Sequence, residues 1–409
     1  MAGKRVSNFI PMLAVLAGGM ALVHVLVAAV VLGTVARGEG IGDWTSFYAA
    51  ATMVRTGEGG QLYDFGRQSA TQLALFGGGL TPNAYPLPAF VAIAIAPLSR
   101  LSFSASFWLF FAANCALMAG LLRAAWRHLR PAPRGMRIAF VACAACSTPA
   151  VTTLLLGQLD LFVLAAMLGC YALLARGRSG AAGAVLAVAL IKPHVALAVV
   201  LLLLVTRQWR ALGGFAAVGA PLLLAPALAL GPHTLVDQAR LIASYPGSST
   251  DHSVAAAMMI NVRGAAVSIT GSSSVWLWLS PLAAIAGVAA AAAVRTWRRN
   301  GALDAQSWAV ALALPLLYSP HLHLQTMVLL VAAAALYLRA TSDAGPAAPV
   351  ELVLGAYVAV AAFWLLSIAG VALMFVPVLF AYRTLVRAWP RRAGGVVALA
   401  PGGDLAIAS

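Results

Sequence analysis

The residues of this chain with the means to do chemistry are few, and they gather at a handful of points. Asp43 opens the run Asp43-Trp44-Thr45-Ser46-Phe47-Tyr48, and Asp64 follows at Leu62-Tyr63-Asp64. Gln158 and Asp160 come next, then Lys192 and His194 on either side of Pro193. Tyr245, Asp251, His252, Asn261 and Arg263 lie further along, and Ser319, His321, His323 and Gln325 last. Taken singly, each reads as a solvated loop residue, with Asp43 a helix cap, Asp64 a turn residue, and Pro193 and Pro320 helix breakers. Capping and chemistry can coexist at Asp43. Together, a carboxylate, imidazoles and cations suit group transfer from a phosphate ester: one group moves a proton, and others take up charge on the leaving phosphate. His321 and His323 with an acid are also the makings of a metal site. Neither H-x-x-E-H nor H-E-x-x-H spacing supports that, and no metal or other cofactor is expected.

The elements that must hold these residues belong to a membrane. Of 409 residues, 62% are hydrophobic and 9% charged, against about a quarter charged in soluble proteins. So few charges cannot clothe a globule of this length. A soluble enzyme, a nucleic-acid-binding protein and a disordered chain are excluded. An all-α polytopic membrane protein is expected, about 12 helices crossing the bilayer as one domain over residues 1–390. Phe9–Val35 outruns the apolar core of a signal peptide and reads as the first crossing, the N-terminus cytoplasmic. Cys115, Cys143, Cys146 and Cys170 all sit in apolar runs, where small packing residues are expected rather than a redox or zinc pair.

The net charge of +15 reads as topology. Basic residues accumulate in cytoplasmic loops. Lys4–Arg5, five arginines in Arg123–Arg137, Arg176/Arg178, Arg207/Arg210, Arg295/Arg298/Arg299, Arg339 and four in Arg383–Arg392 account for 19 of the 26 bases. With these inside, the other seven bases balance the seven remaining acids on the outer side. Even numbers of crossings between clusters then give hairpins at 138–174, 181–205, 302–338 and 350–385, and a pair, 212–230 with 275–294, around a long outer loop 231–274. Tyr85–Leu98 and Phe103–Leu122 look like two apolar segments where parity allows one net crossing, so one is expected to be tilted, re-entrant or interfacial. Each arm of 181–205 is short, which puts Lys192 at membrane depth, where a charge is kept for function or paired. In the first outer loop, 36–83, residues 44–55 read as an interfacial helix with Phe47, Ala51 and Val54 apolar and Trp44 and Tyr48 at headgroup level. A flexible cytoplasmic tail is expected at 391–409. All the polar clusters then share the outer face, both termini lying inside.

The order Asp-x-x-x-Phe-Tyr-x-Ala-Ala…Gly…Leu-Tyr-Asp (43–64), Tyr-Pro-x-Pro…Ala-Pro-Leu (85–98), Leu-Leu-x-Gly-Gln-x-Asp (154–160), Ala-Gly-x-x-Leu-Ala-x-Ala-x-Ile-Lys-Pro-His (182–194), Arg-Gln-Trp-Arg-Ala-Leu (207–212), Asn-x-Arg-Gly (261–264) and Ser-Pro-His-Leu-His (319–323) resembles glycosyltransferase family 87. These are bacterial membrane enzymes of the GT-C class. The resemblance covers about four fifths of the chain, residues 9–340, and its motifs are specific in their order and spacing rather than singly. The resemblance implies a GT-C-like helical bundle in the bacterial inner membrane. It would move a hexose, typically mannose, from a polyprenyl-phosphate-linked donor to a glycolipid or polysaccharide acceptor on the outer face.

By that resemblance, Asp43 is the general base of an inverting transfer. Lys192, Arg263 and His194 are the expected donor phosphate-binding groups. Tyr48, Asp64, Gln158, Asp160, His321 and His323 are expected to bind sugar or acceptor, the choice among His321, His323 and Gln325 staying open. A transporter or flippase of lipid-linked sugars is the first rival, but it would favour internal repeats, and none is seen between the two halves. A surface-polysaccharide polymerase or ligase would share the site and differ in acceptor. A non-catalytic scaffold would leave Asp43 a cap.

Overall fold

The computed structural model describes residues 21–244, 256, 259–272, 274–341 and 375–387. Expectations that fall elsewhere lie outside the described residues: Lys4–Arg5, the start of the first span, Tyr245, Asp251 and His252, the arm Val350–Ser367, and the tail 391–409. Among the described residues the chain is entirely helical.

Four stretches are long and apolar enough to cross a bilayer: Phe103–His128, Arg134–Leu155, Trp209–Leu230 and Val275–Asn300. The first, of 26 residues, measures about 39 Å at 1.5 Å per residue against a hydrocarbon core of roughly 30 Å. Ser102 starts it, accepting a hydrogen bond from the amide of Ala105 at 3.3 Å. Phe103, Phe107 and Phe110 turn inward while Trp108 and Leu109 face out. Val275–Asn300 behaves alike, with Trp278 buried and Trp276 and Val288 about three-quarters exposed. Such outward apolar faces are what lipid contact requires.

Shorter apolar helices are more deeply buried: α8 (Asp160–Leu174), α15 (Ala305–Ala313), α17 (Val328–Thr341) and α10 (Pro193–Val205), the last exposed only at Pro193, Leu197 and Leu204. The numbering counts from α1 (Ala21–Ala36), with α2 Trp44–Arg55, α3 Phe65–Phe76, α4 Ala89–Ile95, α5 Phe103–His128, α6 Arg134–Ala145, α7 Thr148–Leu155, α9 Ser179–Leu186, α11 Trp209–Leu230, α12 His233–Ser244, α13 Val262–Thr270, α14 Val275–Asn300, α16 Pro315–Tyr318 and α18 Phe375–Val386. Helices that are apolar right round belong in an interior. α9 and α11 lie backbone to backbone: a Cβ on Gly183 would overlap the Ala211 carbonyl, and one on Gly214 that of Gly180.

Of two expectations about the short segments, the first fits and the second needs correction. The apolar stretch Tyr85–Leu98 is an irregular lead into α4, followed by a 3₁₀ turn over Ala96–Arg100. At about 1.5 and 2 Å per residue these pieces reach only some 20 Å, too little for a crossing, and α5 alone has the length. Second, α2 has no free apolar face for an interface. Ten of its twelve residues are buried. Trp44 is 1% exposed, stacked on Phe110 at 4.2 Å with its indole N–H on Ser106 at 3.2 Å, and the Tyr48 hydroxyl donates to the Leu101 carbonyl at 2.8 Å. The apparent polar face disappears because Ser46 and Thr52 turn their hydroxyls onto the carbonyls of Asp43 and Tyr48. That satisfies these two hydroxyls locally and helps the helix sit in a core, although Thr45 Oγ1 is buried there without a hydrogen-bond partner.

Candidate functional site

Four turns and one helix break carry the chemistry-bearing residues together. The first contact is made by glycine. Gly42 has φ +70° and Gly157 φ +70°, a region open to glycine without a steric penalty. A Cβ on Gly157 would stand 2.7 Å from the Trp44 Cβ, and one on Gly42 3.1 Å from the Leu156 Cα. Pressed this close, the two turns are joined by Trp44 N–H donating to the Leu156 carbonyl at 3.1 Å. Asp43 and Gln158, each next to its glycine, are thereby neighbours: the Gln158 amide donates to Asp43 Oδ2. Asp43 itself has helical backbone angles and makes no side-chain cap. Its carboxylate points across the gap, and burial raises its pKa above the ordinary carboxylate value, opposed by the Gln158 hydrogen bond and by Lys192.

Lys192 sits where a helix is broken by its own sequence. Proline disfavours helical backbone in the residue before it and fits the first turn of the helix after it. Accordingly the 3₁₀ turn Ala187–Ile191 ends at Lys192, with φ −126° and ψ 83°, and α10 begins at Pro193. The expected pairing is present: the ammonium donates to Asp160 Oδ1 at 2.9 Å and Oδ2 at 2.8 Å. The side chains of Lys192 and Asp160 are 12% and 3% exposed. Asp160 opens α8, where the helix dipole favours a carboxylate, and also receives the Thr326 hydroxyl at 2.9 Å.

The remaining turns bring imidazoles and a guanidinium. Ser319–His323 is pinned to the start of α13: Ile260 N–H donates to the Leu322 carbonyl at 3.0 Å, and the Asn261 amide to the Ser319 carbonyl at 2.8 Å. Asn261 also caps α13 by accepting from Gly264 N–H at 3.0 Å. That sets Arg263 in the interior, 1% exposed, its guanidinium 5.4 Å from the centre of the Trp278 ring. The His321 and His323 rings meet edge to face at 4.7 Å. Burial, then the charges of His323, His194, Arg263 and Lys192, depress the His321 imidazole well below its usual range. The Tyr318 hydroxyl donates to the His194 carbonyl and ties this turn to α10.

Asp43, Gln158, Asp160, Lys192, His194, Arg263, His321 and His323 thus share one neighbourhood, with Gln325 buried beside it. Two of the expected residues stand apart. Tyr48 spends its hydroxyl on Leu101, and Asp64 is an exposed cap of α3, accepting the Arg67 N–H at 3.0 Å. Thr326 and Tyr318 were not anticipated, because a lone hydroxyl in an apolar helix gives no sequence signal. Among the described residues no three of His, Cys, Asp and Glu gather as metal ligands. The arrangement can take a proton at Asp43 and offers positive charge a short way off.

The sequence model of glycosyltransferase family 87 matches residues 83–320. No curated protein and no solved structure matches the chain. The matched stretch contains Gln158, Asp160, Lys192, His194 and Arg263, while Asp43 lies before it and His321 and His323 just after it.

Proposed function

The chain belongs to glycosyltransferase family 87, and from that premise we propose that it transfers a hexose, mannose by the family's expectation, from a polyprenyl-phosphate donor to a glycolipid or polysaccharide. The setting is the outer face of a bacterial inner membrane, with both termini and the arginine clusters inside and about 12 crossings in all.

Asp43 accepts the proton of the acceptor hydroxyl while that oxygen bonds to the anomeric carbon. The bond from that carbon to the donor phosphate oxygen breaks on the opposite side. Its electron pair leaves with polyprenyl phosphate, and the configuration inverts. Lys192, Arg263 and His194 take up the charge on the departing phosphate. His321 and His323 hold sugar hydroxyls, for which neutral imidazoles are suited as both donors and acceptors. Asp64 and Tyr48 have no part in this reading.

The observation that supports it most is the state of Asp43. Its carboxylate is released from capping duty, bonded to Gln158 and within the field of Lys192 and Asp160. The test is transfer of labelled sugar from synthetic polyprenyl-phosphate sugars by the purified protein in nanodiscs, with envelope lipid extract as acceptor, wild type beside Asp43→Asn. A labelled product from wild type alone is expected. Equal activity of the two proteins would remove Asp43 as the base, and donor binding with no turnover by wild type would put a carrier of lipid-linked sugars ahead of an enzyme.

A further inference from the structure

Asp160 has little left to offer a sugar. An ionised carboxylate has about four acceptor positions. Here both oxygens receive Lys192, Oδ1 also receives Thr326, and the residue is 2% exposed. Lys192 is the opposite case. Its ammonium has three N–H groups; two are spent on Asp160, and its side chain keeps a little exposure where Asp160 keeps almost none. A buried ion pair is weak evidence for stability, since apolar residues of similar volume often do as well or better. Its retention here calls for another role, and the geometry of the break supplies one. Lys192 has no helix of its own to fix it, being the non-helical residue between the Ala187–Ile191 turn and α10. Asp160, at the start of α8, and Thr326, in the Leu324–Met327 turn, fix it from two other elements.

We infer that Asp160 is a positioning residue: it holds the Lys192 ammonium aimed so that the third N–H meets the donor phosphate, with Thr326 locking the carboxylate, and it does not touch the sugar. This rests on the transferase reading above and reassigns Asp160 from substrate contact to support. The other titratable groups in the field of the pair are Asp43, His194 and His321, with His323 and Arg263 standing near His321.

The experiment is a donor titration of the full-length protein in nanodiscs, using synthetic polyprenyl-phosphate donors that differ in the sugar, for wild type, Asp160→Asn, Asp160→Glu and Thr326→Val. In Asp160→Asn the KM for donor is expected to rise by more than kcat falls. The rise should be shared by donors carrying different sugars, because the phosphate is common to all of them. Asp160→Glu should recover part of the KM, and Thr326→Val should show the same change in smaller measure. A sugar contact would instead alter discrimination between donor sugars, which overturns the proposal. Should Asp160→Asn not fold, an unchanged KM in Thr326→Val overturns it equally. The transferase reading fails separately: if wild type transfers no sugar, both fall, whereas an active wild type, a dead Asp43→Asn and an unshifted Asp160→Asn sink this inference alone.

Discussion

The first long loop contains two helix starts with an aspartate in front, and they are built for opposite ends. At α3, Asp64 has an extended backbone, φ −78° and ψ 110°, and folds its carboxylate onto the amide of Arg67. It is exposed, and its work is local. At α2, Asp43 has φ −75° and ψ −21°, already helical, and its side chain does not turn back. The first amide of α2 is served instead by the Leu156 carbonyl, from a turn more than a hundred residues away in sequence. Residue type and position are the same in the two cases. What separates them is whether a distant element takes over the capping, which leaves one carboxylate free to face other side chains. A free carboxylate near a helix start is therefore a product of tertiary contact, and one held by its own helix is a product of local sequence.

The comparison can be broken most decisively at Asp43. Asp43→Asn is expected to lower kcat by about 10²- to 10⁴-fold, the usual share of a general base, with the thermal unfolding of the purified protein nearly unchanged because no cap is lost. Its pH profile sharpens the point. Burial raises the Asp43 pKa, so the base is lost by protonation at a pH above that of an ordinary carboxylate. The acid limb of wild-type activity should lie there, and the residual activity of Asp43→Asn should lack it. An acid limb at the value of a free carboxylate would contradict the burial.

Next in size is Gly157→Ala. It forces a side chain into a left-handed backbone and against Trp44. A cost of roughly 1–3 kcal/mol in stability is expected, read by thermal unfolding, together with a fall in kcat as Gln158 moves away from Asp43. Loss of stability with kcat intact would mean that the turn holds the fold but not the carboxylate. The smallest effect belongs to Asp64→Ala: about 0.5–2 kcal/mol from a lost cap and unchanged transfer. A large loss of transfer there would reverse the assignment of the two aspartates.

Much of this was legible beforehand. Lys192-Pro193 states its own helix break, because proline acts on the residue before it, and the scarcity of charge made a partner for the lysine a reasonable demand. Counting bases against crossings put the polar turns on one face, and the structure brings most of them into one neighbourhood. Other features were hidden. α2 reads as interfacial from its apolar positions and its two aromatic residues, whereas the Ser46 and Thr52 hydroxyls return to the backbone and the helix is buried. Parity asked for one crossing from Tyr85–Leu98 and Phe103–Leu122 but did not say which, because apolar composition does not register the change from α to 3₁₀ winding at Ala96. Thr326 gave no sign at all, since its meaning depends on Asp160 standing opposite.

The sequence by itself determined that this is a helical membrane protein of glycosyltransferase family 87 character, where its helices break, and which residue types stand at the breaks. Those are matters of composition, near-neighbour backbone sterics and order along the chain. Only the tertiary structure decided that Asp43 is bonded to Gln158 rather than to its own helix, that Asp160 serves Lys192, and that Tyr48 and Asp64 stand aside. Hydrogen-bond partners that are far apart in sequence are chosen by which backbones can approach, and here that approach was set by two glycines whose role appears only when they face one another.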